Sequence, residues 1–590
     1  MFFFEDLSAV ELVPLLEPYM GLPAWPGLED PLVRERIHAY LVETGRWQTL
    51  GREFVPQRPI AFFKRSSYRD YRRTGSRRAF EEVYRDLIRE LDAAVLALWL
   101  DHPEAHLDHT QDLMWAFCEM TTWNLPAHEA QTLELTSTRV GRRLAEYAFM
   151  LAPRLEPEVQ ERVGYEIERR MLAPAFDPAR ADWWQTCENN WNHVCNANLI
   201  AIALYQIKET KHLAAFVHAL VLRLGYAIDG FTDDGGCVEG PGYWDYGFSH
   251  FVDAAIMLQH RTGGAINLMT ADPKIERICR YPLAVYLQAP LRSTFADSSN
   301  DWINAGTALK INRFFSIPAL FSFAARTEEG SHLLLDDMSG LSLYNGERPL
   351  PHQDETDYLM PDLNFVKLNA ADPSVGVVVA AVAGSNAVSH NHNDLGSFIV
   401  CKRGAVLLAD PGSPIYSAKT FGDQRYELLF CRSRGHSVPL VNGHEQSTGA
   451  EFSASLIVEN LNVPGAMKSI VADLTHAYAD PTLTSLMRRW MLLPDGTLKL
   501  EDRFIFKAVP TAVEEGFVTF VSAEILEGAR SVRLGTKDAG AILRAEMAGH
   551  FVLESFPPEV HAGQDPRSFH RLQFIPENLD REMTLSFVLE

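Results

Sequence analysis

The spacing of apolar residues changes once along this 590-residue chain, and that change constrains the fold more than any other feature. Up to about residue 330, apolar residues recur at intervals of three and four, as in residues 80–95 and 213–224, which is typical of amphipathic helices. Beyond about residue 340, short β-rich runs such as 377–383, 397–401 and 405–409 alternate with turn residues. The sequence therefore predicts a helical region followed by a β region.

The connectors between helices and the turns between strands indicate how each region is arranged. Many helices joined by short Pro- and Gly-bearing connectors form a bundle, a solenoid or a closed α/α toroid, and no repeat of fixed length favours an open solenoid. The Lys-Arg-Gly turn at 402–404 and the Pro-Asp-Gly turn at 494–496 predict hairpins, and hence antiparallel sheets in a layered sandwich. We predict an α+β multidomain chain with a helical domain at 1–335, a β-sandwich domain at 336–590 and a linker within 328–362.

Charge narrows the range of partners. The net charge of -23 and the pI near 5.3 argue against nucleic acid, whose phosphates require clustered Lys and Arg. A polyanionic substrate stays possible because a local basic patch can act against a distant acidic surface. The run at 64–78 is such a patch, although a solvated segment is the simpler interpretation.

No membrane partner is expected, because no apolar run reaches the roughly 18 residues that a membrane span requires. The apolar but acidic N-terminus lacks the features of a signal peptide, so we expect a cytoplasmic protein, or a periplasmic or secreted one if a leader has been removed. The oligomeric state is left open.

A histidine-rich segment in the β region is the strongest chemical signal. His390 and His392 are two residues apart, so an extended backbone would direct both imidazoles to one face. Asp410 closes the next apolar run, and His436 follows in a Gly-flanked segment. Two or three histidines with a carboxylate suit a divalent ion such as zinc. The alternative is that these residues separately cap strands and turns.

A second polar concentration lies in the helical region. Residues 183–198 read WWQTCENNWNHVCNAN, and residues 229–250 are rich in glycine and aromatic residues. Aromatic faces stack on sugar rings, and Asn and His donate hydrogen bonds to hydroxyl and carboxylate groups, so the pattern is typical of a carbohydrate cleft. Helix and turn capping by asparagine is the alternative.

These motifs together resemble the heparinase II/III-like superfamily of polysaccharide lyases. The resemblance is carried by NNWNHVCNA, EGPGYWDYG, SHNHNDLGSF, LLADPG and RGHSVPLVNG, with TTWNLPAHE further upstream. It implies an N-terminal (α/α) toroid catalytic domain and a C-terminal antiparallel β-sandwich that carries a metal site. It also implies β-elimination beside a uronic acid, which leaves a 4,5-unsaturated product.

The resemblance further implies roles for individual residues. Asn192 matches the amide that neutralises the substrate carboxylate, and His193 matches a histidine seen beside it in some members. Tyr243 matches the catalytic tyrosine and His390 a second proton-transfer residue, and which of the two is the base stays open. The residues that could bind substrate are Asn124, His128, Trp191, Trp244, Tyr246 and Arg292.

The metal assignment follows from the same resemblance. It gives His392, Asp410 and His436 as ligands of one divalent metal, with His444 as a competing third ligand. Zinc is the first choice and manganese the alternative, and we expect the ion to be structural, fixing the loop that bears the catalytic histidine.

Several functions are compatible with these features. The expected substrate is an anionic polysaccharide or oligosaccharide, namely a glycosaminoglycan such as heparan sulfate, chondroitin sulfate or hyaluronan, with alginate or oligoalginate as the alternative. A glycoside hydrolase is a second enzyme class, because a loop in the helical region offers the carboxylates of Asp233, Asp234, Glu239 and Asp245. A non-catalytic glycan-binding protein is the third possibility.

Overall fold

The structure is a computed structural model in which the chain forms two compact units. The helical unit comprises Met1–Phe231, Trp244–Glu276 and Ile303–Leu350, and the β unit comprises Thr232–Tyr243, Arg277–Trp302 and Pro351–Glu590. The residues that the structure describes are 7–54, 59–61, 63–299, 301–327, 332–335, 337–346, 356–372, 374–536, 540–561 and 563–590.

The unit division adds two short segments of the N-terminal half, 232–243 and 277–302, to the β unit. Residue 336, where the β domain was predicted to begin, and residues 328–331 and 347–355 of the predicted linker lie outside the described residues. The predicted domain boundary therefore stays a prediction.

Helices dominate the first 350 residues, as the apolar period predicts. The α-helices are α1 Ala9–Leu16, α2 Pro31–Glu43, α3 Arg46–Glu53, α4 Arg65–Thr74, α5 Arg78–Trp99, α6 Leu107–Glu119, α7 Leu135–Met150, α8 Pro157–Ile167, α9 Ala173–Phe176, α10 Asn190–Gln206, α11 Thr210–Asp229, α12 Pro241–Tyr243, α13 Ser249–Arg261, α14 Pro273–Val285, α15 Ala305–Asn312, α16 Leu320–Phe323, α17 Met338–Leu343 and α18 Pro558–His561. Two π-helical turns, Glu168–Leu172 and Trp244–Phe248, interrupt this series.

Helix α10 is the central element of the helical unit. It packs against α7, α11 and α13, and Trp191 and Gln206 are its two residues that are not buried. A helix that is buried nearly all round, as α10 is despite its four asparagines, belongs to a core. The Asn189 side chain caps α10 by accepting a hydrogen bond from the backbone N–H of Trp191.

Helix α11 is long and apolar enough to cross a membrane by length and composition alone. Within the helical unit, however, 56% of its apolar window is buried, and it packs against α1 and α10, as a core helix does.

The β unit consists of antiparallel sheets. The strands are β1 Tyr286–Gln288, β2 Leu291–Arg292, β3 Tyr358–Met360, β4 Phe365–Asn369, β5 Val377–Val382, β6 Gly384–Asn386, β7 Phe398–Lys402, β8 Ala405–Leu408, β9 Leu440–Val441, β10 Gly449–Glu459, β11 Lys468–Asp473, β12 Leu483–Leu492, β13 Leu498–Phe506, β14 Val513–Thr519, β15 Ala523–Ile525, β16 Ser531–Gly535, β17 Gly540–Ala545, β18 Gly549–Phe556, β19 Phe569–Pro576 and β20 Glu582–Leu589.

Three larger sheets and one two-stranded ribbon result. The nine-stranded sheet has the order β15-β16-β17-β20-β13-β12-β11-β10-β6, the five-stranded sheet β3-β4-β5-β7-β8 and the four-stranded sheet β18-β19-β14-β9. Strands β5, β7 and β8 and the β12–β13 hairpin confirm the strands predicted from the sequence. In the β7–β8 turn Arg403 and Gly404 both have positive φ, the conformation of a tight two-residue hairpin loop.

A buried ion-pair cluster lies among the sheets, where β12 alternates buried and partly exposed residues. The guanidinium of Arg488 donates two 2.8 Å hydrogen bonds to Asp502 and one of 2.7 Å to Glu515. It also donates to the carbonyls of Gly396 and Ser437, and its side chain is completely buried. Arg488 is therefore a structural cation of the core.

We predict that Arg488→Met destabilises the protein by about 3–5 kcal/mol, because it leaves the carboxylates of Asp502 and Glu515 buried without their cation. The neighbouring Arg489→Met is the matched control, since its pair with Glu459 is largely exposed and worth about 0–1 kcal/mol. Thermal and denaturant unfolding of both variants measures the difference. Equal stability losses would contradict the assignment.

Candidate active site

Two aromatic side chains of the β unit, Tyr243 and His390, stack on each other. Tyr243 ends the short helix α12, and His390 lies in the loop that follows β6. Their ring centroids are 4.1 Å apart at an interplanar angle of 29°. His390 has a φ of 60°, a left-handed conformation that is uncommon for non-glycine residues and is found at functional sites. The structure thus brings the two predicted proton-transfer residues together.

The completely buried carboxylate of Asp297 holds this pair in place. Its Oδ2 lies 2.7 Å from Nδ1 of His390, and its Oδ1 lies 3.0 Å from Nε2 of His392. Arg425 Nη2 donates to Oδ1 at 2.9 Å, and the Tyr416 hydroxyl donates to Oδ2 at 3.2 Å. Burial alone would raise the pKa of Asp297, but the hydrogen bonds from the histidines and the charge of Arg425 hold that pKa well below its usual range.

Asp297 and Tyr416 were not identified from the sequence. Asp297 stands in the segment FADSSND, which looks like any polar loop, and Tyr416 follows a Gly-Ser-Pro turn. The sole hint was an aspartate within a short segment of small polar residues, a pattern too common to single out.

The ionised Asp297 determines which nitrogen of His390 carries the proton. Because a carboxylate only accepts hydrogen bonds, Nδ1 of His390 is the nitrogen that donates to Asp297, and Nε2 is the nitrogen that is left to exchange a proton with a substrate. Nε2 lies 3.5 Å from Oε1 of Glu239, and the His390 side chain is 14% exposed. A substrate proton can therefore reach Nε2.

The phenol of Tyr243 is kept neutral by its surroundings. Its hydroxyl oxygen lies 2.6 Å from that of Tyr416, which in turn donates to Asp297. Burial, and next the neighbouring Tyr416, raise the pKa of Tyr243 well above its ordinary value. At neutral pH Tyr243 is consequently a proton donor, and it would need additional cationic help to act as a base.

Two overlapping groups of buried side chains could hold a metal ion. Donor atoms of His392, Asp394 and His436 lie within 4.8 Å of one another, and so do those of Asp297, His392 and Cys431. The structure thus brings two predicted ligands, His392 and His436, together.

The third predicted ligand, Asp410, is bonded to His436. Asp410 Oδ2 lies 2.9 Å from Nδ1 of His436, whose Nε2 lies 3.0 Å from the carbonyl oxygen of Phe430. A ligating histidine usually donates its other ring N–H to a carbonyl or carboxylate, here Nε2 to Phe430, which leaves Nδ1 of His436 facing both Asp410 and Asp394. Asp394 is the carboxylate grouped with both histidines, so the choice between Asp394 and Asp410 as ligand stays open.

The donor set fits a divalent cation. Within the described part of the chain, Nδ1 of the buried His392 has no hydrogen-bond partner. Burial raises the pKa of Asp394 to about 7, with the nearby charge of Asp410 acting in the same direction and His436 opposing it. An unpartnered imidazole nitrogen beside two buried carboxylates is an environment that a cation would stabilise. Zinc or manganese binding at this position stays a prediction.

Asn192 and His193 lie on the buried helix α10. Asn192 donates both amide hydrogens to main-chain carbonyls, those of Gln185 at 3.1 Å and Arg223 at 2.9 Å. The amide therefore has no donor left for a substrate carboxylate in this conformation. Its predicted neutralising role stays a prediction.

The ring of His193 lies among three phenylalanine rings, with centroid distances of 6.0 Å to Phe231, 6.2 Å to Phe248 and 5.3 Å to Phe251. Nε2 of His193 has no hydrogen-bond partner among the described residues. Burial lowers the pKa of His193 to about 3, with the charge of His250 adding to the effect. The ring is thus uncharged at neutral pH, and its surroundings give no support to the predicted catalytic role.

Three of the predicted substrate-binding residues lie near one another in the helical unit. The rings of His128 and Trp191 are 4.8 Å apart in an edge-to-face arrangement, and both side chains are half-buried. Asn124, a few residues before His128, is buried and donates to the carbonyl of Gln131 at 2.6 Å. His128 and Trp191 stay candidates for substrate contact, whereas Asn124 supports its own loop.

The other three occupy different environments. Trp244 is buried, and Arg292 is buried with its Nε 2.7 Å from the carbonyl oxygen of Ser299, so neither side chain offers an open surface. Tyr246 lines a cavity of about 920 Å³ within the helical unit, with the guanidinium of Arg139 5.7 Å above its ring.

Comparison with known proteins finds a family match over part of this chain and a shared fold over nearly all of it. Residues 352–554 match the family described as Heparinase II/III-like, C-terminal, which confirms the predicted resemblance over that region. No curated protein matches the chain by sequence.

Several solved structures share this fold, and their similarity to this protein extends over nearly the whole chain. A heparinase III structure has a TM-score of 0.62 at 13% identity, covering 98% of this chain and 93% of that one. A second heparinase III has a TM-score of 0.59 at 12% identity, covering 99% and 92%. Heparan sulfate lyase HepC from Pedobacter heparinus has a TM-score of 0.57 at 12% identity, covering 98% and 87%. This likeness confirms the predicted fold class, an (α/α) toroid followed by an antiparallel β-sandwich.

We predict that His193 makes the protein less stable as the pH falls from about 6.5 towards about 3. In that window the unfolded chain binds a proton at an ordinary histidine, whose pKa is about 6.5, while the folded chain keeps the ring neutral. Replacing the ring, as in His193→Leu, should therefore flatten the pH dependence of the unfolding midpoint between pH 7.5 and pH 4.5. Parallel curves for parent and variant would contradict the buried, neutral state.

Proposed function

We propose that this chain, whose residues 352–554 are a heparinase II/III-like C-terminal region, is a polysaccharide lyase that cleaves uronic-acid-containing glycans by β-elimination. The observation that carries the proposal is the stacked pair of Tyr243 and His390 anchored on the buried carboxylate of Asp297. Glycosaminoglycans are the proposed substrates, since one structure of the same fold is a heparan sulfate lyase.

The proposed reaction needs one group to take a proton and another to give one. The proton on C5 lies beside a carboxylate and is weakly acidic, and the C4 oxygen must be protonated as it leaves. Groups that stabilise the charge developing in the transition state therefore contribute most to the rate. In the proposed mechanism the unprotonated Nε2 of His390 accepts the C5 proton, and the neutral phenol of Tyr243 protonates the leaving oxygen.

Asp297 supports both steps without touching the sugar. It holds His390 in the tautomer that leaves Nε2 as acceptor, and it anchors Tyr416, whose hydroxyl positions that of Tyr243. No step is proposed through Asn192, because its amide hydrogens are bonded to main-chain carbonyls.

The stacking distance supports elimination from one face of the sugar. Rings 4.1 Å apart leave no room for a sugar between them, so Tyr243 and His390 must approach the substrate from the same side. In glucuronate and mannuronate the C5 proton and the C4 oxygen lie on the same face, whereas in iduronate and guluronate they lie on opposite faces. We therefore propose glucuronate-containing polymers as the preferred substrates.

Two of the carboxylates that the sequence suggested for a glycoside hydrolase, Asp234 and Asp245, are bonded to the main chain in the structure. Asp234 accepts hydrogen bonds from the backbone N–H groups of Gly236 and Asp362, and Asp245 accepts from that of Asn304. The oxygens of Asp234 and Asp245 are therefore engaged by main-chain donors rather than turned towards a glycosidic oxygen, as hydrolysis requires of its acid and base.

A divalent metal is proposed as a structural support for the same site. His392 and His436, with Asp394 or Asp410, would hold it, and a bound ion would link the loop of His392 to that of His436. Because Asp297 contacts both His392 and His390, order at the metal site would also steady His390.

Digestion of hyaluronan and chondroitin sulfate should produce the ultraviolet absorbance of a new carbon–carbon double bond, and dermatan sulfate, rich in iduronate, should react more slowly. Tyr243→Phe should lower this rate by on the order of 10²–10⁴-fold, because the leaving oxygen loses its proton donor. Tyr478→Phe is the control, since that hydroxyl bonds the carbonyl of Pro439.

Reducing ends without the chromophore would instead identify a hydrolase, and binding without either product a glycan-binding protein. Near-parental activity of Tyr243→Phe would remove Tyr243 from the mechanism. A faster reaction on iduronate polymers would contradict the same-face geometry.

We expect elemental analysis of the purified protein to find about one divalent ion per chain, and His392→Ala to lose it. Removal by a chelator should lower the unfolding temperature, because an ion that binds the folded state alone stabilises it by mass action. Asp394→Ala and Asp410→Ala, measured in parallel, distinguish ligand from supporting carboxylate. A parent protein free of metal, with an unfolding temperature indifferent to chelator, would contradict the site.

A further inference from the structure

Two tryptophans of the helical unit form an aromatic surface outside the core. The Trp183 side chain is 48% exposed, and its ring lies 5.0 Å from that of the half-buried Trp191 at an angle of 50°. The adjacent Trp184 is completely buried, so core packing explains why a tryptophan stands at position 184. Core packing does not explain the tryptophan at position 183, which is largely outside the core. Exposed indole faces match the apolar C–H faces of sugar rings.

Neighbouring contacts hold this aromatic surface rigidly. The ring of His128 packs edge-on against Trp191, and its Nδ1 lies 2.8 Å from Oε2 of Glu134. Glu134 is completely buried and caps helix α7 by accepting from the backbone N–H groups of Thr136 and Ser137. A surface that is ordered before binding loses little conformational entropy when a ligand docks.

Helix α4 places arginines beside the aromatic surface. Arg65 and Arg72 bind the two carboxylate oxygens of Glu129, at 3.3 Å and 3.0 Å, and Glu129 directly follows His128. Their side chains are 59% and 66% exposed. Ion pairs this exposed contribute about 0–1 kcal/mol, so either guanidinium can turn to an incoming anion at small cost.

The local charge is opposite to that of the whole chain. Residues 64–74 contain one lysine and four arginines against a single aspartate, in a chain of net charge -23. A polyanion is repelled by most of such a surface and attracted where cations are clustered. Guanidinium groups bind sulfate-like and carboxylate oxygens in pairs, which adds geometric preference to the charge.

We infer that Trp183, Trp191, His128 and the arginines of helix α4 form a subsite for an anionic sugar of the polysaccharide. A sugar ring stacks on Trp183, and a sulfate or carboxylate group of the same polysaccharide chain is bound by Arg65 and Arg72. This inference rests on the proposed function for the identity of the polymer. It assigns a binding role to the basic run that the sequence alone presented as a solvated segment.

Binding of the full-length protein to size-defined heparan sulfate, chondroitin sulfate and hyaluronan oligosaccharides tests the subsite. Trp183→Ala and the double variant Arg65→Ala/Arg72→Ala should each weaken binding of sulfated oligosaccharides about tenfold, with KM raised and kcat unchanged. The arginine variant should lose less affinity for unsulfated hyaluronan, and its binding should depend less steeply on salt.

Matched controls come from the same unit. Trp115→Ala removes an exposed tryptophan that also lies beneath an arginine, Arg162, and Arg78→Ala removes an exposed arginine paired with Glu82. Both should bind oligosaccharides like the parent. Arg65→Glu/Arg72→Glu provides a second variant in which charge reversal should weaken binding further, and unfolding temperatures confirm that each variant is folded.

The outcomes separate the subsite from the reaction. Weakened binding by the Trp183 and α4 variants, in a parent that forms no unsaturated product, supports the subsite and rejects the lyase. An active parent whose Trp183 and α4 variants bind and react like Trp115→Ala and Arg78→Ala retains the lyase and overturns the subsite.

Discussion

The buried carboxylate of Asp297 is the interaction on which the candidate active site depends. A carboxylate removed from water is costly unless cations and hydrogen-bond donors replace the water, and here His390, His392, Arg425 and Tyr416 do so. Because each donor points at the same two oxygens, their relative positions are determined together. The orientation of His390 and the placement of the phenol beside it are consequences of satisfying one buried charge.

This arrangement gives two histidines of one motif different tasks. His390 turns through a left-handed backbone conformation and keeps an accessible Nε2, whereas the side chain of His392 is completely buried, with Nε2 on Asp297 and Nδ1 without a hydrogen-bond partner among the described residues. Asp297 thus connects proton transfer with metal binding. Because both histidines bond the same carboxylate, we expect a substitution of either one to alter the position of the other.

The proposed substrate is acidic, as is the chain that has to attract it. Net charge alone, at -23, would disfavour a polyanion, and the proposed solution is local: a basic helix, α4, placed beside exposed tryptophan. The central arginine of the sheets, Arg488, shows the opposite use of the same side chain, since it pairs with the buried side chains of Asp502 and Glu515 and is inaccessible to any substrate. Burial, rather than residue type, separates a structural cation from a binding one.

The sequence by itself determined the order of helical and β regions and several hairpins, because apolar period and turn residues are local properties. The expectation that an extended backbone would direct His390 and His392 to one face was wrong, since His390 lies in a loop with a left-handed φ of 60°; both rings instead converge on Asp297. The tertiary structure alone decided that Asp297 bonds His390, which is 93 residues away along the chain. It also decided that the hydroxyl of Tyr416 contacts that of Tyr243, which is 173 residues away along the chain. It also decided that His193 faces three phenylalanines, which its neighbours along the chain do not reveal. Contacts between distant segments depend on how the elements pack, and no local pattern encodes that packing.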